Sequence, residues 1–82
     1  MEFMSYPTTV KMLAAQLIAA CDAYLARKIT DVELKKLIVH YAGNYPEMLF
    51  TARDLNPTIL NRLGKKRTLL VNKMLEGYQI SF

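Results

Sequence analysis

Five cations gather around one glycine near the end of this sequence. Arg62, Lys65, Lys66 and Arg67 flank Gly64, and Lys73 follows at helical spacing. Residues 53–82 hold six Lys or Arg against Asp54 and Glu76, whereas residues 1–52 hold five of each sign. The net charge of +4 therefore belongs to the last part of the chain. A neutral apolar body with a basic end points to an anionic partner, a nucleic acid or another polyanion. Cations crowded into the first turn of a helix oppose its dipole and become favourable once an anion docks there. Free backbone N–H groups and side-chain cations then point at the same phosphate, and Gly64 lets that backbone come close. These are contacts to phosphate. No residue stands out as a reader of base edges, so sequence specificity is undefined.

Other chemistries find little support. Gly64-Lys65-Lys66-Arg67-Thr68 lacks the first glycine of a Walker A loop, and no strand precedes it. Cys21 lies on an apolar stripe, and no third residue is placed to orient His40 as its base. The carboxylates Glu2, Asp22, Asp31, Glu33, Glu47, Asp54 and Glu76 are scattered, with no pair shaped for acid–base work. One Cys and one His cannot build a tetrahedral zinc site, and a single Cys excludes an internal disulfide. The expectation is a protein that is not an enzyme and carries no cofactor or metal. Tyr41, Tyr45, Phe50, Tyr78 and Phe82 have faces that stack on bases, but they fall mostly at core positions or turns.

The elements that must position the basic cluster read as helix nearly throughout. The first helix is expected over residues 8–27, with Pro7 near its start and a stripe of Val10, Ala14, Leu17, Cys21 and Tyr24. Leu13, Ile18 and Leu25 widen that stripe, and Asp22 is the only charge between Lys11 and Arg27. Thr30-Asp31-Val32-Glu33 is a capping box for a second helix, with Ile29 and Leu34 at staple spacing. Its inward face is Leu34, Leu37, Ile38 and Tyr41, and Gly43-Asn44 ends it. Pro46 opens a short third helix through Phe50, and residues 51–55 read as a turn. Asn56-Pro57 caps and starts a two-turn helix to Leu63, which Gly64 breaks. A last helix over residues 65–76 turns Leu70, Val71, Met74 and Leu75 inward and stops at Gly77. Tyr78, Ile80 and Phe82 alternate with polar residues, which predicts an extended tail.

Two nucleic-acid motifs compete over residues 57–76. A helix-turn-helix would use residues 57–63 and 65–76, with the second as the recognition helix. Residues 60–67, Leu-Asn-Arg-Leu-Gly-Lys-Lys-Arg, are similar to the hairpin of the helix-hairpin-helix family, whose backbone amides hold DNA phosphates without reading sequence. Arg62 stands where that family has its first glycine, and Thr68 where a small Ala is usual. A solvated basic face on an ordinary helix is the third reading.

The chain also resembles a small group of hypothetical proteins of similar length in Gram-positive bacteria. Tyr6-Pro7-Thr8-Thr9-Val10, Asn56-Pro57-Thr58-Ile59, Gly64-Lys65-Lys66-Arg67 and Leu75-Glu76-Gly77-Tyr78-Gln79-Ile80 carry the resemblance. It implies a short bacterial or mobile-element protein and transfers no mechanism and no site residues.

The 82 residues predict one all-α domain of four to five helices with a short extended C-terminal tail. Met4 offers a second start, which makes residues 1–3 a candidate expression remnant. No segment has the length or apolarity to cross a membrane, the start lacks signal-peptide features, and the thiol is free, so a cytoplasmic address is expected. Two functions are carried forward. One is a nucleic-acid-binding or regulatory module contacting phosphate through Arg62, Lys65, Lys66, Arg67 and Lys73 around Gly64. The alternative is a protein–protein module that forms a homodimer or docks on a partner through the apolar first helix and the tail.

Overall fold

Two threonines start the first two helices of the computed structural model, which describes residues 3–51 and 54–77. The Thr9 hydroxyl accepts from the Met12 N–H at 3.1 Å and opens α1, Val10–Leu25. Pro7 therefore lies two residues ahead of the cap rather than in the first turn, and it is buried there. α1 ends in a Schellman arrangement: the Lys28 N–H donates to the Ala23 carbonyl at 2.8 Å, and the Arg27 N–H to that of Tyr24 at 3.0 Å. Arg27 takes the left-handed position of this motif, with φ 61°, where glycine is usual.

α2, Asp31–Asn44, is opened by the predicted capping box, with both of its bonds formed. The Thr30 hydroxyl accepts from the Glu33 N–H, and the Glu33 carboxylate accepts from the Thr30 N–H, each at 3.2 Å. Ile29 and Leu34 of the staple are both buried. Pro46 occupies the first turn of α3, Pro46–Leu49. The predicted turn that follows contains a two-residue antiparallel ladder, β1 (Phe50–Thr51) with β2 (Asp54–Leu55), pairing Phe50 with Leu55 and Thr51 with Asp54. Phe50 and Leu55 share the buried side of that ladder. A ladder this short shows too few alternations for a period of two to be legible.

Asn56 joins the ladder to the last helix, α4 (Pro57–Met74). Its amide oxygen accepts from the Thr58 N–H at 2.9 Å, capping α4. Its amide nitrogen donates to the Met48 carbonyl at 3.2 Å, and its backbone N–H to that of Leu49 at 2.8 Å. α4 is two helical segments separated at Gly64, whose φ of 77° and ψ of 173° are outside helical values. The predicted break is thus one residue long. Tyr78, Ile80 and Phe82, expected to form an extended tail, lie outside the described residues.

The fold is mainly helical, and α1 is its centre. Leu13, Ala14, Leu17, Ala20 and Cys21 are fully buried, against Leu34, Ile38 and Tyr41 of α2 and Ile59, Leu63, Val71 and Met74 of α4 within one core. Alanine and cysteine at three of those α1 positions let neighbouring helices approach closely. Val10, Ile18 and Tyr24 of the expected stripe are partly buried, while Leu25 at its end is 49% exposed. Residues ahead of α1 are strapped across the bundle. The Met4 N–H donates to the Gln16 side chain at 2.9 Å, the Tyr41 hydroxyl donates to the Met4 carbonyl, and the His40 ring bonds the Ser5 carbonyl at 2.9 Å.

Candidate nucleic-acid interface

Gly64 decides how the cations are presented. A residue at φ 77° and ψ 173° is outside the range of L side chains, so only glycine sits there without strain. The helix axis is redirected in a single step, and the second segment restarts directly with Lys65-Lys66-Arg67. Helix-turn-helix motifs use a turn of three or four residues. The one-residue break departs from that pattern.

Along the second segment the helical period sorts the side chains. Val71 and Met74 are buried and Leu70 is half-buried. Lys65, Leu69 and Lys73 follow one another at four-residue steps, with Lys66 and Asn72 three residues to either side of Leu69. All five are exposed, Leu69 at 64%. The three lysines therefore share one outward face around an apolar centre. Arg62 is exposed on the segment before Gly64. Among the described residues, no carboxylate lies within ion-pair distance of these four cations.

Arg67 behaves differently. Its Nε donates to Asp22 Oδ1 at 2.9 Å and its Nη2 to Oδ2 at 3.0 Å, a two-pronged pair across to α1. Its Nη1 also donates to the Leu63 carbonyl, just before the break, at 3.2 Å. The guanidinium holds the Asp22 carboxyl below its ordinary value through this hydrogen bond, and Asp22 raises Arg67 in return. Arg67, one of the phosphate contacts expected from the sequence, thus has an intramolecular partner, and this pair ties the basic segment to α1. In the sequence Asp22 is distinguished as the only charge between Lys11 and Arg27. That isolation was the available signal of a partner elsewhere in the chain.

The other reactive side chains are buried or hydrogen-bonded within the fold. Cys21 is fully buried beside Asp22, and burial pushes its thiol up to about 11. His40 bonds the Ser5 carbonyl through Nε2, and its Nδ1 lies 3.2 Å from the Asn44 amide nitrogen. Tyr41 is buried, and burial pushes its phenol up to about 12. Among the described residues, no three His, Cys, Asp or Glu side chains gather as a metal site, and no helix is long and apolar enough to cross a membrane.

The chain belongs to a family of conserved hypothetical proteins, whose model matches residues 4–76. No curated protein matches the chain. No solved structure matches it.

Proposed function

We propose that this member of the family is a non-enzymatic nucleic-acid-binding or regulatory module. Its contact surface is the outward face formed by Arg62, Lys65, Lys66 and Lys73, shaped by the break at Gly64. The observation that carries the reading is the separation of roles within the basic cluster. Arg67 pairs with the Asp22 carboxylate, while the three lysines of the second segment share a single exposed face. A cationic face of this kind holds phosphate oxygens irrespective of base sequence. Leu69 and Asn72, at the centre of that face, are the residues that would meet a base edge if one is approached: a methyl contact and an amide donor–acceptor pair.

The test is a salt titration of binding to duplex DNA, single-stranded DNA and RNA. Four phosphate contacts give a log–log slope of about −3.6 on B-DNA. A slope near zero, or no binding to any of the three, refutes the reading.

The alternative is a protein–protein module built on the apolar α1; Leu13, Ala14, Leu17, Ala20 and Cys21 of that helix are buried within this chain, whereas Val10, Ile18 and Tyr24 are partly buried and Leu25 is exposed. The tail, the other half of that alternative, lies outside the described residues. Sedimentation at increasing concentration tests the homodimer directly, a constant monomer mass counting against it.

A further inference from the structure

We infer that the turn between α1 and α2 is a second arm of the same phosphate-binding surface, with Arg27 and Lys28 as its cations. This rests on the nucleic-acid reading above. The placement comes from one guanidinium. Arg67 bonds the Asp22 carboxylate and the Leu63 carbonyl together. Asp22 lies in the final turn of α1, where its own carbonyl accepts from the Ala26 N–H at 2.9 Å. Leu63 precedes Gly64 and the lysines. One side chain therefore joins the break in α4 to the last turn of α1; Arg27-Lys28 begins two residues after that turn, and Lys65-Lys66 immediately precedes Arg67. All four of these cations are exposed.

Of the three carboxylates near this end, only that of Asp22 is paired with a cation among the described residues; those of Glu33 and Asp31 accept backbone N–H groups and keep their charge. Arg27 itself is the second observation. It sits at φ 61° in the position where a Schellman turn takes glycine. An arginine there strains the backbone without burying its side chain. A helix C-terminus does favour a cation, but Lys28 supplies one already. The arginine therefore stands where glycine would cost the fold less, which is the kind of strain found at residues that contact a ligand.

The test uses fluorescence anisotropy with a labelled mixed-sequence DNA duplex, from about 50 to about 200 mM salt. With six cations engaged, the wild-type slope is about −5.4 rather than about −3.6. Arg27→Gly removes the strain, so this variant melts at a higher temperature than wild type. It nevertheless binds more weakly, and its slope is flatter by about 0.9. Arg27→Lys keeps the wild-type slope. Should Arg27→Gly match wild type in affinity and slope while the Lys65→Ala/Lys66→Ala variant loses binding, the second arm is disproved and the first stands. Absence of salt-dependent binding by the wild type removes both.

Discussion

The Arg67 guanidinium grips both carboxylate oxygens of Asp22, at 2.9 and 3.0 Å, across 45 residues of sequence. This pair ties the segment after Gly64 to the central helix, and it divides a run of three cations into one that holds and two that are presented. It also links stability to pH. The Asp22 carboxyl is held below its ordinary value, so its contribution is complete above the unfolded value of about 3.9 and is lost as pH falls through the folded value. Melting temperatures of wild type and Asp22→Asn should differ above about pH 5 and converge as the pH falls below about 4. Both side chains are partly open to solvent, so added salt should narrow the difference.

Changing Lys65 and Lys66 together to Ala should leave the far-ultraviolet circular dichroism unchanged, since both are exposed and good helix formers are exchanged for another. The same change should flatten the salt dependence of DNA binding by about 1.8. Asp22→Asn acts in the opposite direction. It removes a negative charge and frees Arg67, so binding should tighten.

Gly64→Ala tests the break without altering any charge. An added Cβ meets no atom within 4 Å, so the effect is conformational alone. The backbone values at this residue suit glycine only, and the variant should lose about 1–3 kcal/mol in denaturant unfolding. Retention of full stability would show that the two segments can join at another angle.

The capping box gives a graded test of α2. Thr30→Ala removes the hydroxyl that accepts from the Glu33 N–H and should cost about 1 kcal/mol. Glu33→Gln keeps an acceptor for the Thr30 N–H and should cost less.

Cys21 should be inert in the folded protein. It is fully buried, and burial pushes its thiol up to about 11, so at neutral pH it is neither ionised nor reachable. A thiol reagent should modify it only at the rate of opening, and denaturant should bring the reaction to completion within mixing time.

The sequence alone determined the helices and where most of them begin and end. Thr30 with Glu33, Asn56 with Pro57, Pro46 and Gly64 act through hydrogen bonds and backbone angles within a few residues of themselves. Their effect is therefore visible in a short window of sequence. The core stripe of α1 was legible for the same reason, being a matter of helical period. What tertiary structure decided lies between elements. The pairing of Asp22 with Arg67 needs α1 and α4 packed side by side. The Phe50–Leu55 ladder needs a core for both residues to face. The left-handed Arg27 follows from how α1 must reverse into α2 over a turn of five residues, 26–30. Packing also chose which cations stay free, because a single carboxylate on the central helix can reach one guanidinium and leaves the lysines beside it to the solvent.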